Sequence, residues 1–97
     1  MRYELLLSPQ AHRDQRALPA NVRAELREQF EVHLRHAPTK VSRSRIKRLR
    51  GLGRPQYRLR IGDLRVFYDV AGSEVHILTI ISKESAERWL HFHGVAE

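Results

Sequence analysis

The stretch Tyr57–Asp69, YRLRIGDLRVFYD, alternates on both sides of Gly62-Asp63: Tyr57, Leu59 and Ile61 are interleaved with Arg58 and Arg60, then Leu64, Val66 and Tyr68 with Arg65 and Phe67. Period-two patterning belongs to strands with one apolar face. Gly-Asp between two such runs is the two-residue loop of a hairpin, with glycine at the first position of a type II′ turn. That loop length dictates the register: Ile61 faces Leu64, Arg60 faces Arg65, Leu59 faces Val66 and Arg58 faces Phe67. One face of the ribbon is then wholly apolar or Tyr. The other carries Arg58, Arg60, Arg65 and Phe67, and Arg60 directly opposite Arg65 is repulsive until an anion binds there.

Beyond the hairpin, an Ala71-Gly72-Ser73 turn leads into Val75–Ile81, a nearly unbroken apolar run suited to the middle of a sheet. Ser82 is placed to cap a final helix from Lys83, docked by Trp89 and Leu90, and the tail from Gly94 is expected to fray. Upstream, Arg2–Leu7 reads as a short strand apolar enough for burial on both faces. Ser8-Pro9 supplies an N-cap and a first helical residue for a short helix. Val22, Leu26, Phe30 and Leu34, four apart, mark one face of a second helix, which begins at Pro19 and must stop near Ala37 because Pro38 follows. The order is that of an α+β plan: a small, mostly antiparallel sheet with two N-terminal helices packed on one face and a short C-terminal helix. It puts the helices on one side and the arginines on the other. With 97 residues, 41% apolar, there is material for one core, so residues 1–97 are read as a single domain.

The net charge of +7 is local. Ten of the 18 basic residues and one of the 11 acidic ones fall between Lys40 and Arg65, leaving the rest of the chain slightly acidic. Such a concentration is the footprint of a polyanion site, with nucleic acid as the leading partner. Thr39–Pro55 has no clear period and reads as an exposed basic connection, with a short strand or turn around Ile46–Leu49 pinned by its apolar residues. Cysteine is absent, which excludes disulfides, thiolate metal sites and a Cys nucleophile. His33 with His36, and His91 with His93, lack a third ligand in sight, so no metal is expected. No run reaches the roughly 18 apolar residues of a membrane span, and the expectation is a cytoplasmic protein without a membrane partner.

Leu49-Arg50-Gly51, then Tyr57–Val70, then a hydrophobic strand and a short basic tail, in this order and spacing, resemble the RelE/ParE superfamily of bacterial type II toxins nearly end to end. The RelE-like branch implies a ribosome-dependent endoribonuclease that cuts mRNA in the decoding site with no metal or other cofactor. The family's basic residues on two adjacent strands match Arg58, Arg60 and Arg65, and its basic residue after the last strand matches Lys83. Its C-terminal tyrosine falls at Trp89, which has no titratable proton. Acid–base work then comes from elsewhere, with Lys83, Glu84, His91 and His93 as the nearby candidates, or is absent. Lys47, Arg48, Arg50 and Arg54 are expected to grip RNA, and Phe67, on the arginine face, is the best stacking candidate. The resemblance also implies a cognate antitoxin with an acidic, amphipathic segment, for which the arginine face serves equally well as a docking surface. Two alternatives stay open: a ParE-like, non-nucleolytic toxin that binds DNA gyrase, and an inactive homologue that binds only antitoxin or nucleic acid.

Overall fold

The computed structural model describes residues 2–97. Strand β1 (Glu4–Leu7) is followed by helices α1 (Pro9–Arg16) and α2 (Ala20–Gln29), then by strands β2 (Ile46–Arg48), β3 (Leu52–Arg54), β4 (Tyr57–Ile61), β5 (Leu64–Ala71) and β6 (Glu74–Ser82). Helix α3 (Lys83–His93) and strand β7 (Val95–Ala96) close the chain. Five strands form one sheet in the order β1-β6-β5-β4-β2, antiparallel except for β1 against β6. The hairpin has the register set by its loop, with Arg60 opposite Arg65 and Arg58 opposite Phe67. Gly62, at φ +54°, takes the left-handed conformation that the first position of the turn demands.

The core lies on one face of this sheet, where Leu59, Ile61, Val66, Tyr68, Val75 and Ile77 pack under Ala11, Leu26, Phe30 and Leu34. Helix α2 does not stay α-helical to its end. It widens into a π-helical turn over Phe30–Leu34, closed by Arg35 N–H donating to the Phe30 carbonyl at 3.1 Å. Both Phe30 and Leu34 are thereby kept against the sheet. Helix α1 has little apolar surface and is attached by polar bonds instead. Strand β6 is irregular where Phe67 pairs Thr79 and Tyr68 pairs Ile77, so that Leu78 is the extra residue of a bulge. Ser8 Oγ accepts from Ala11 N–H at 3.0 Å and donates to the Leu78 carbonyl at 2.7 Å. Asp14 Oδ2 accepts from Thr79 Oγ1 at 2.8 Å and from Ile80 N–H at 3.0 Å. These bonds satisfy the edge of β6 beyond the point where β1 ends.

Three expectations are corrected. Strand β1 is not buried on both faces: it is the sheet's edge and is half-buried at most. Helix α3 does not join α1 and α2 but packs on the opposite face, over Phe67, with Ala86 buried. The tail does not fray either, because β7 pairs with β3 in a second, two-stranded sheet. Gly94 makes that return feasible, since a Cβ there would lie 2.5 Å from the Leu90 carbonyl oxygen.

Tyr68 is fully buried, stacks on Tyr57 at 5.5 Å and donates its hydroxyl to the Pro38 carbonyl at 2.6 Å. Burial pushes its phenol well above the ordinary tyrosine range. Because the folded phenol resists ionisation and the unfolded one ionises near pH 10, stability is full below that pH and falls as pH rises above it. Replacing Tyr68 with Phe should cost about 1–2 kcal/mol in urea unfolding at neutral pH and should shrink the alkaline loss.

Candidate functional site

The non-core face of the sheet carries two rows of cations. Lys47 pairs directly across from Arg58, and Arg60 across from Arg65. Helix α3 crosses part of this face and leaves a cleft of about 350 Å3 lined by Lys47, Arg58, Arg65, Lys83, Glu84 and Glu87, with Leu49, Phe67, Ala86 and Leu90 as its apolar walls. The helix is fixed there at its first turn. Lys83 N–H, otherwise an orphan donor, gives its hydrogen bond to the Asp63 carbonyl at 2.7 Å, and Ser82 Oγ accepts from Ser85 N–H at 3.3 Å. A cation, a hairpin turn and a positive helix end are thus held together.

The arginines differ in their environments. Arg65 is only 7% exposed, and its Nη1 donates to the Gly62 and Leu64 carbonyls, each at 2.9 Å, which lays the guanidinium across the turn. Arg58 is half-buried, and its Nε is shielded from solvent without a hydrogen-bond partner. Arg60 is exposed. Desolvation, then the guanidiniums of Arg65 and Arg60, lower the pKa of Arg58, while desolvation and Arg60 lower that of Arg65 against the opposing pull of Asp63. Among the described residues no carboxylate forms an ion pair with Lys47, Arg58, Arg60, Arg65 or Lys83. Planar, permanently charged donors that lack an acid partner are suited to phosphate.

The remaining residues singled out in the sequence fall into separate places. Arg50 is exposed in the turn before β3. Arg48 is engaged within the protein: its guanidinium sits 5.4 Å over the Tyr57 ring, donates to the Leu49 and Gln56 carbonyls at 2.9 and 2.8 Å, and pairs with Glu97 at 3.7 Å. Arg54 pairs with Asp69 at 3.3 Å. Both therefore have a carboxylate partner and differ in this from Arg58, Arg60 and Arg65.

Phe67 also differs, being 1% exposed with its ring stacked on Trp89 at 5.3 Å, so its faces are used in packing. Trp89 in turn lies against His93 at 4.9 Å and does not line the arginine cleft. His91 and His93 are likewise outside it. Glu87, absent from the candidates read in the sequence, is inside. Its only sequence signal is the i, i+4 spacing from Lys83, which puts both on one helix face.

The fold matches that of known proteins. The model of the ParE toxin family of type II toxin–antitoxin systems, parDE, matches residues 5–86. The chain therefore belongs to this family, within the RelE/ParE superfamily of toxins. It is 26% identical to a chain of the toxin–antitoxin complex RelBE2 from Mycobacterium tuberculosis, with a TM-score of 0.67, over 84% of this chain and 99% of that one. Against the RelE–RelB complex of Pyrococcus horikoshii the identity is 26% and the TM-score 0.70, over 86% and 97%. The free RelE toxin of E. coli, in a doubly substituted form, shares the fold at 24% identity and a TM-score of 0.68, over 92% of each chain. Among curated proteins none matches by sequence. No helix among the described residues is long and apolar enough to cross a membrane.

Arg60 and Arg65 provide a direct check on this electrostatic arrangement. Arg65→Ala removes two charge-assisted bonds to carbonyls and should cost about 1–2 kcal/mol in urea unfolding. Arg60→Ala removes an exposed, repelling charge and should be neutral or stabilising by a few tenths of a kcal/mol.

Proposed function

We propose that this toxin is a metal-free, ribosome-dependent endoribonuclease that cuts mRNA in the decoding site of cytoplasmic ribosomes. The observation that carries the reading is the convergence of Arg58, Arg65, Lys83 and Lys47 on one cleft, none of them in an ion pair among the described residues. Arg58 and Arg65 hold the scissile phosphate and stabilise the charge that builds on its oxygens as the 2′-oxygen attacks. The exposed Lys40, Arg43, Arg45 and Arg50, together with Arg60, extend the positive surface outward for ribosomal or messenger RNA. The similarity to toxins solved as RelB–RelE complexes supports a cognate antitoxin as partner, one whose acidic segment covers the arginine face.

A second reading, a non-nucleolytic toxin that binds DNA gyrase, is favoured by two observations: the family model that matches is ParE, and Trp89 neither titrates nor reaches the cleft. Mapping of mRNA 5′ ends by primer extension, on purified ribosomes stalled with an empty decoding site, separates the two. New ends at that site are expected with the wild type. They should fall about 100- to 1,000-fold in rate for Arg65→Ala and for Lys83→Ala, whose exposed side chain makes it neutral to folding. Intact message beside inhibited supercoiling in a gyrase assay would replace the first reading with the second. Single-stranded RNA binding should weaken with salt at a log–log slope of about −3 if four cations each neutralise one phosphate. Titration between low and moderate salt measures that slope.

A further inference from the structure

We propose, building on the nuclease reading, that Glu87 is the proton acceptor of the reaction and occupies the chemical role for which Trp89 is unfit. Metal-free RNA cleavage needs a group that takes the 2′-hydroxyl proton. None of the three tyrosines and none of the six histidines lines the cleft. The cations that do, Lys47 from β2, Arg58 from β4, Arg65 from β5 and Lys83 from α3, are donors without a free lone pair. Only two lining side chains are able to accept a proton, Glu84 and Glu87.

The geometry of α3 chooses between them. Lys83, Ala86, Glu87 and Leu90 recur at i, i+3, i+4 and i+7 and all line the cleft, so they form the helix face that looks into it. Glu87 lies within about 50° of the centre of that face, whereas Glu84 is displaced from it by about 110° around the axis. Neither carboxylate forms an ion pair among the described residues, even though the cleft is rich in cations. The Glu87 oxygens are therefore available to a substrate, and the surrounding cations screen their repulsion from phosphate. In the step itself, a Glu87 carboxylate oxygen takes the 2′-hydroxyl proton, and the 2′-oxygen forms its bond to phosphorus. The bond from phosphorus to the 5′-oxygen breaks, and the Lys83 ammonium protonates that leaving oxygen. The products are a 2′,3′-cyclic phosphate and a 5′-hydroxyl end, and both side chains reset by exchange with water.

Cleavage on programmed ribosomes under single-turnover conditions tests the assignment with Glu87→Gln, Glu87→Ala and Glu84→Gln. Glu87 is exposed, so thermal unfolding of its variants should match the wild type. Glu87→Gln should cut about 100- to 1,000-fold more slowly at an unchanged cleavage site. Added acetate should restore part of the rate to Glu87→Ala, while chloride at equal ionic strength should not. A wild-type rate in Glu87→Gln, a Glu87→Ala enzyme that acetate does not rescue, or a loss confined to Glu84→Gln would overturn the assignment. Ribosomes left uncut by the wild type would instead overturn the nuclease reading, and Glu87's role with it.

Discussion

Lys47 opposite Arg58 and Arg60 opposite Arg65 place like charges at adjacent cross-strand positions, a pairing that in isolation drives strands apart. The penalty is a few tenths of a kcal/mol per pair, and the other face of the same strands outweighs it. There, Leu59, Ile61, Val66 and Tyr68 are almost completely buried under α1, α2 and the π-helical turn. Burial of side chains of that size is worth roughly 1.5–3 kcal/mol each. The alternation of the strands thus lets one face hold the fold while the other stores unneutralised charge. Arg65 is held still by the carbonyls of its own turn, a device that uses no carboxylate and so leaves its charge intact.

Helix α3 turns that charged face into a site. Its N-terminus is fastened to the hairpin turn at Asp63, and one turn and more further on Trp89 lies flat on Phe67. Between these two anchors the helix stands over the sheet and encloses a cleft, into which it contributes Lys83, Glu84 and Glu87. Trp89 is the apolar seal of this arrangement, shielding Phe67 from water. The pairing of β7 with β3, reinforced by Arg48 and Glu97, then ties the end of the chain to the basic segment that precedes β4. The second sheet joins two regions with little apolar content of their own. Each supplies backbone donors and acceptors that the other completes.

Polar side chains do comparable work at the opposite edge. Without the bulge at Leu78, strict alternation along β6 would carry Ile77, Thr79 and Ile81 to the core face. With it, Ile77 and Ile80 both reach the core, while Thr79 and Ile81 share the face of Phe67 and Arg65. Ser8 and Asp14 hold the bulge, which explains how a helix as polar as α1 remains attached.

The hairpin, its register and its two faces were determined by local sequence alone, because period-two alternation and a Gly-Asp loop act between residues close in the chain. The N-caps at Ser8 and Ser82 were legible for the same reason. The family was legible from ordered motifs, and the face shared by Arg58, Arg60 and Arg65 from the alternation of the hairpin. Which face α3 covers was decided only by tertiary structure, since Trp89 and Leu90 indicate that the helix docks but not where. The same holds for the tail, whose partner strand lies some 40 residues earlier and is marked by no periodicity. Arg48 and Arg54 look identical in sequence to Arg58 and Arg65. Their different environments follow from Glu97, Asp69 and Tyr57, brought near them by folding. Glu87 likewise comes to share a cleft with Lys47, Arg58, Arg65 and Lys83 only through the fold, because local sequence does not specify which sheet face lies beneath α3.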